Sequence, residues 1–405
     1  MSIKNYHKII NDPVHGFITL PHRLIYDLLE HPWVQRMRRI KQLGLSELVY
    51  PGATHNRFHH ALGAMHLMTI ALQVIKNKGI EITHDEHEAA CVAILLHDIG
   101  HGPFSHALEN SIVNVHHEKI SLAMMYELNT IFEGKLRLAI EIFEGSYYKQ
   151  FLHQLVSSQI DLDRLDYLSR DSFYTGVNEG IVGYDRIIKM MNVVDDKLVI
   201  EEKGIYSIEK FLISRRLMYW QVYLHKSVIN AEVLLHQFLN RLNLIATFDL
   251  SSAQSICTHA LYNCLIVPAN EAIENVIKTF TALDDNDILV TIKNATQSND
   301  YILKTLSKAL LYRTLFDFKF INNSLSSSDK AAIIQSIAST FKIEIDLAAQ
   351  LVFEGSVENQ AYSTLEPIFL VTKSGNLVDV VEASDNLNLH SLSQKVIKKY
   401  VMFLK

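Results

Sequence analysis

Residues 91–104 read CVAILLHDIGHGPF, and the two halves of that stretch follow different rules. The unbroken apolar run 91–96 suits the last turns of a buried helix, which stops at His97-Asp98. Two glycines and a proline in Ile99-Gly100-His101-Gly102-Pro103 then end the helix and force a tight loop. An imidazole and a carboxylate are thereby set at the end of a buried helix, where a charge without a partner is costly and a cation supplies one. Imidazole nitrogen and carboxylate oxygen together suit manganese, iron, zinc or magnesium, and coordination positions left open make such a site catalytic rather than structural. A lone His-Asp pair is more often a surface or helix-cap accident, so the surrounding sequence decides.

Histidines gather around the pair. The chain has 20, clustered in HNRFHHALGAMH (residues 55–66) and HDIGHGPFSH (97–106). After the glycine-rich loop, Ser105 or a neighbour is expected to start a helix that sets His106 and Glu109 on one side. Farther on, SSQIDLDRLDYLSRDSFYTG (157–176) places Asp161, Asp163, Asp166 and Asp171 on one helix ended by Gly176. Asp163, Tyr167 and Asp171 are four apart and share a stripe. The apolar neighbours Leu162, Leu165 and Leu168 imply that one side is packed, so the stripe is expected to face a cleft. Asp166 and Arg170 read instead as a salt-bridged pair on an exposed face.

The rest of the chain is mainly α. Apolar residues recur three and four apart over 58–75, 89–96 and 208–242. Short exceptions are a strand at 16–20, a hairpin signal at 197–202 with Gly204, and a second at 368–372 with 377–381. The polar run NNSLSSSD (322–329) marks the start of a smaller C-terminal α+β unit. The expected organisation is a core over 1–245, a helical extension over 246–321 and the α+β unit over 322–405.

Composition excludes several classes. With 405 residues, 48% hydrophobic and 20% charged, the chain can bury a large core. A net charge of −6 provides no global field for nucleic acid or an anionic membrane. Only Arg36, Arg38, Arg39 and Lys41 form a basic run, readable as a local polyanion contact or as a solvated helix face. Three cysteines without a CxxC pair point to a reducing compartment, and no secretory leader or membrane-length apolar run is apparent, so cytoplasm is expected.

The arrangement His60, His97-Asp98 and Asp163 resembles the ligand signature of HD-domain phosphohydrolases. Beyond it, NDPVHGFITL (11–20), QRMRRIKQLG (35–44), PGATHNRFHHALG (51–63), HDIGHGPFSHALE (97–109), HHE (116–118), DLDRLDYLSRD (161–171) and YLHK (223–226) look like the deoxynucleoside-triphosphate triphosphohydrolases of that family. The sequence is similar to the vertebrate member that carries a sterile alpha motif and to bacterial relatives, though it has no such motif itself. The likeness spans almost the whole chain and is strongest over 11–176.

The resemblance implies a helical HD-domain core and specific roles. His60, His97, Asp98 and Asp163 would hold a divalent metal: manganese, iron, magnesium, zinc or nickel. Arg57, His101, Arg164, Arg215 and Lys226 would contact the triphosphate, whose oxygens match guanidinium and imidazolium donors. Gln42 and Asp171 would hold the sugar 3′-hydroxyl, and Leu43, Tyr167 and Tyr223 would close over the sugar. His106 and His117 would handle protons, with Glu109 and Glu118 orienting them, and Asp98 would act in catalysis besides binding metal. The implied reaction turns a dNTP, dGTP included, into deoxynucleoside and tripolyphosphate. Lys8, Glu30, Gln35, Arg38 and Arg313, the last within YRTLF (312–316), resemble an activating-nucleotide site at a subunit interface. Glu30 stands where that pattern has the shorter aspartate. A homo-oligomer, dimer or tetramer, is expected, with no membrane or nucleic-acid partner. Two other readings are an HD enzyme acting on a nucleoside monophosphate or alarmone, and a nucleotide-sensing protein with vestigial catalysis.

Overall fold

The structure, a computed structural model, describes residues 8–104, 115–268, 271–385 and 388–405. An antiparallel hairpin, β1 (Ile9–Asp12) and β2 (Gly16–Thr19), leads into α1 (Arg23–Leu29) and α2 (Pro32–Arg36). The centre of the core is α3 (Arg57–Asn77), packed against α4 (His84–Leu96). Asn56 starts α3 by accepting the His59 N–H at 3.1 Å, and Thr83 with Glu86 forms a reciprocal capping box at the start of α4.

Phe58, Ala61, Leu62, Met65, Met68, Leu72 and Ile75 are all buried. Each large side chain among them contributes about 1.5–3 kcal/mol by leaving water. By length and composition alone α3 is able to cross a membrane, contrary to the sequence expectation of no such run. Here it is the central helix of the core, and it carries His60.

Around α3 and α4 lie α5 (His117–Ile131), α6 (Arg137–Glu144), α7 (Gln150–Val156) and α8 (Leu162–Thr175). Gly176 ends α8 in the left-handed conformation, φ 73°, which a residue without Cβ adopts at no steric cost. Next come α9 (Tyr184–Met190), β3 (Met191–Val194), β4 (Lys197–Glu201) and α10 (Ile205–Met218). Asp195 and Asp196, both at positive φ, form the two-residue turn of the β3–β4 hairpin. A π-helical turn, Tyr219–Tyr223, joins α10 to α11 (Lys226–Phe248).

The extension comprises α12 (Leu250–Ile256), α13 (His259–Leu265), α14 (Ile273–Phe280), α15 (Asp285–Ala295) and α16 (Tyr301–Leu311). Its core, with Leu283, Ile288 and Leu306, is continuous with Leu45 and Phe104 of the first unit. At the C-terminus, β5 (Asp317–Ile321), α17 (Ser327–Phe341), α18 (Ile345–Ala349) and β6 (Val352–Asn359) precede β7 (Phe369–Val371) and β8 (Leu377–Asp379). The chain ends with α19 (Val380–Ala383), α20 (Asn388–Leu392) and β9 (Val396–Phe403). One sheet runs β5-β9-β6, so β5 joins it from ahead of the polar loop at 322–326. The β7–β8 hairpin instead extends β3–β4, with β7 parallel to β4. The fold is mainly α with a smaller α+β unit.

Candidate metal centre and substrate cavity

Three helices bring His60, His97 and Asp163 to one point. His60 Nε2 lies 3.0 Å from Asp163 Oδ1, His97 Nε2 lies 3.4 Å from the same oxygen, and the two Nε2 atoms are 3.4 Å apart. The ring protons sit on the far side of each imidazole. His60 Nδ1 is 2.7 Å from Asp166 Oδ2 and His97 Nδ1 is 2.6 Å from the Ile94 carbonyl oxygen, both pure acceptors. Each Nδ1 therefore carries the hydrogen and each Nε2 presents a lone pair inward. Three lone pairs facing one another repel unless a cation stands between them, so the donor set fits a divalent metal. Asp98 adjoins them: its Oδ1 is 3.4 Å from His97 Nε2 and its Oδ2 is 3.9 Å from His60 Nε2. Arg57 donates to Asp98 Oδ2, and His101 Nε2 is 3.3 Å from Oδ1.

The charges follow this geometry. Burial disfavours the His60 imidazolium, but Asp163 and Asp166 outweigh it and raise its pKa to about 10, so a proton and a metal ion would compete for the same Nε2. His97 is also raised, with Asp98 and Asp163 overcoming burial. Asp98 and Asp163 are driven down against burial, the first by His97 and Arg57 and the second by His60 and His97. His101 goes the other way: burial, then Arg57, lowers it to about 3. Both effects favour the neutral imidazole, which can still donate one N–H to a phosphate oxygen.

Behind His60 lies a network that the sequence misread. Asp166 and Arg170 are 0% exposed. Arg170 grips Asp166 at 2.9 Å through both Nε and Nη2 and reaches Asp12 at 2.8 Å, while His15 Nε2 is 2.6 Å from Asp166 Oδ1. The expected exposed pair is a buried one, because the β1–β2 hairpin supplies Asp12, at the end of β1, and His15, in its turn, to complete the bonds. Spacing along α8 gave no sign of those partners, which lie on another element.

The His-Asp loop is held equally closely. Ser121 of α5 accepts the Gly100 N–H at 3.0 Å and donates to the His97 carbonyl at 2.8 Å. A Cβ at Gly100 would lie 2.3 Å from Ser121 N, so only glycine permits this approach.

Two cavities meet at the metal ligands. The first, ≈ 390 Å³, is lined by Gln42, Leu43, Arg57, His101, Tyr167, Asp171 and Tyr223 and opens onto Asp98 and Asp163. Asp171 accepts from Tyr223 at 2.8 Å and from His55 at 2.7 Å, and the buried Gln42 Oε1 has no hydrogen-bond partner. The second, ≈ 660 Å³, shares Asp98, His117 and Asp163 with the first and adds His97, Glu118, Lys119, His153, Asp161 and Arg164. His117 thus stands between the cavities, stacked on His101 with ring centroids 3.9 Å apart.

Of the other expected phosphate contacts, Arg164 lines the second cavity and is bonded to Asp161. Arg215 reaches the Ala361 carbonyl at 3.2 Å, and Lys226 is exposed at the start of α11. None of these three is among the lining residues of the first cavity. His106 and Glu109 lie outside the described residues. The sequence reading also passed over His55, Tyr219 and Phe104; the π-helical turn that presents Tyr219 and Tyr223 has no simple sequence signal.

The expected regulatory residues fall in two places. Lys8 and Glu30 form an ion pair at 3.3 Å, and Arg38 donates to Gln35 at 2.8 Å while its guanidinium stacks 3.7 Å from the Phe58 ring centroid. Arg313 donates instead to the Leu48 carbonyl at 2.7 Å. The basic run is not a free polyanion surface. Arg36 is buried on the carbonyls of Leu283 and Ile99, Arg39 pairs with Asp284, and Lys41 pairs with Glu47 at 2.5 Å.

A helical core with two imidazoles and two carboxylates around one point defines a His-Asp hydrolase of the HD type. The chain belongs to the HD-domain phosphohydrolase family: residues 57–171 match the HD domain and 182–259 the HD associated region. The crystal structure of a phosphohydrolase from Bacteroides thetaiotaomicron is similar with TM-score 0.93 and 46% identity, covering 98% of this chain and 100% of that one. Uncharacterized protein YwfO of Bacillus subtilis is 32% identical over 93% of this chain and 88% of its own length. The deoxynucleoside triphosphate triphosphohydrolase SAMHD1 homolog of Dictyostelium discoideum is 32% identical over 54% of this chain, and the match spans 46% of that protein.

Proposed function

We propose that the chain hydrolyses dNTPs, dGTP included, to deoxynucleoside and tripolyphosphate. The observation that carries this reading is the cavity of ≈ 390 Å³ that joins Gln42, Leu43, Tyr167, Asp171 and Tyr223 directly to Asp98 and Asp163. A polar end for a sugar hydroxyl, aromatic walls for the sugar and a hydrolytic centre share one space. The likeness to a deoxynucleoside triphosphate triphosphohydrolase supports the same substrate class.

His60, His97, Asp98 and Asp163 would hold the divalent cation, which makes water a competent nucleophile near neutral pH. The chain's own residues do the rest. Arg57 spreads positive charge over the phosphate nearest Asp98, and Arg164, Arg215 and Lys226 would approach the outer phosphates once substrate is bound. Attack at the α-phosphorus expels the 5′-oxygen, a poor leaving group unless protonated. His117, at the junction of the cavities, or His106 would deliver that proton, with Glu118 or Glu109 orienting the ring. Neutral His101 would donate a hydrogen bond to a phosphate oxygen.

Activation by a nucleotide bound near Lys8, Glu30, Gln35, Arg38 and Arg313 belongs to the same proposal, as do a homo-oligomeric state and a cytoplasmic location. The test offers each of the four dNTPs, singly and mixed, with Mg or Mn and looks for tripolyphosphate. Release of orthophosphate or pyrophosphate instead would shift the reading to another nucleotide hydrolase, and nucleotide binding without turnover to a sensor.

A further inference from the structure

Leu283, Asp284 and Asp285, at the start of α15, lie outside both matched family regions, yet they touch the core at three points. Arg36 donates to the Leu283 carbonyl at 2.6 Å, and Arg39 pairs with Asp284. Asp285, 4% exposed, uses its two carboxylate oxygens on two different loops. Oδ2 accepts the Lys41 backbone N–H at 2.9 Å and Oδ1 accepts the Phe104 backbone N–H at 2.9 Å.

Those loops lie side by side in the lining of the substrate cavity. Lys41 precedes Gln42, Leu43 and Gly44, and Phe104 ends the segment that carries His101; all but Lys41 line the cavity. The loops also run close to each other, since a Cβ at Gly44 would lie in van der Waals contact with the Phe104 carbonyl oxygen at 3.7 Å. Phe104 is held at φ 49°, a left-handed conformation that a bulky residue adopts only when its surroundings impose it.

We infer that Asp285 is a positioning residue: its carboxylate clamps the Gln42 loop to the His101 loop and so fixes the part of the nucleotide cavity's wall that the two loops share, from outside the HD domain. A carboxylate suits this task because it accepts at both oxygens. An asparagine accepts at one and turns a donor towards the other N–H, so Asp285→Asn loses one bond and adds a donor–donor contact. His60 sits on α3 and Asp163 on α8, and His97 and Asp98, just past α4, are tied down separately where Ser121 bonds the His97 carbonyl and the Gly100 N–H, so metal binding should be left intact.

The substrate part of this inference rests on the dNTP reading, whereas the clamp does not, and two measurements separate them. Amide hydrogen exchange of the wild-type, metal-loaded protein should show Lys41 and Phe104 strongly protected. Exchange at the rate of open amides overturns the clamp whether or not any variant folds. Asp285→Asn should then raise the KM for a dNTP about tenfold, the weight of one hydrogen bond to a charged group, with kcat changed less. Metal content and hydrolysis of bis-p-nitrophenyl phosphate, too small to need the Gln42 loop, should stay within about twofold by the same reasoning. Equal loss on both substrates with loss of metal marks Asp285 as merely structural and overturns the positioning role, and an unchanged dNTP KM does the same. A wild type that turns over the small ester but no dNTP refutes the substrate reading, and the exchange rates still decide the clamp.

Discussion

His60 faces a carboxylate on each side of its ring: Nδ1 is 2.7 Å from Asp166 Oδ2 while Nε2 is 3.0 Å from Asp163 Oδ1. Asp166 therefore fixes which nitrogen faces the centre and raises its basicity as a ligand. Asp166→Asn should keep the fold while lowering metal affinity by roughly 10–100-fold, read by competition with a chelator. Unchanged affinity would show that the His60 tautomer is set by something else.

The same network leaves no room beside it. A Cβ on Gly63 would lie 1.9 Å from Asp166 Oδ1 and 2.1 Å from Arg170 Nη2, both fully buried. Gly63→Ala should cost about 3 kcal/mol or more in denaturant unfolding, at the upper end for overpacking, because a buried charge pair must move with the clash. A loss below ~1 kcal/mol, the range of tolerated core swaps, would contradict that packing.

What the sequence made legible follows physical range. The helix end at His97-Asp98 and the stripe Asp163, Tyr167, Asp171 depend on neighbours within one or two turns, and the structure sets all of them at the centre or along the first cavity. The roles of Asp166, Arg170, Arg36 and Arg39 were not readable. Their partners Asp12, His15, Leu283 and Asp284 are distant in the chain, 245 residues in the case of Arg39 and Asp284, and a charge pattern looks alike on a solvated and a buried helix face. Strand β1 was missed because it is four residues long and mostly exposed, so no alternation marks it.

His117 touches both cavities and stacks on His101. If it carries the proton to the leaving oxygen, His117→Ala should slow dNTP turnover by about two to four orders of magnitude while retaining metal. A variant with wild-type turnover would remove it from that step and leave His106.

Stability should respond to acid through a different histidine. His22, with its side chain only 8% exposed, is lowered to about 4 by burial and then by His87 and His84; Nε2 sits 2.7 Å from His87 Nδ1, and Glu88 is 3.7 Å from Nδ1. The unfolded chain protonates this residue near pH 6.5 and the native protein does not until about 4, so the unfolded state binds more protons between those values. Stability is therefore lost as pH falls from 6.5 towards 4. His22→Asn should flatten the slope by up to ~1.4 kcal/mol per pH unit in denaturation series, the weight of one proton. Identical slopes in the two proteins would count against this assignment.

The most direct test of the whole account is the ion content of His97→Ala and Asp98→Ala beside the wild type, read together with turnover. The expected result is about one divalent ion per wild-type chain, with ion and hydrolysis lost together in both variants. Full hydrolysis by a variant that carries no ion would contradict it.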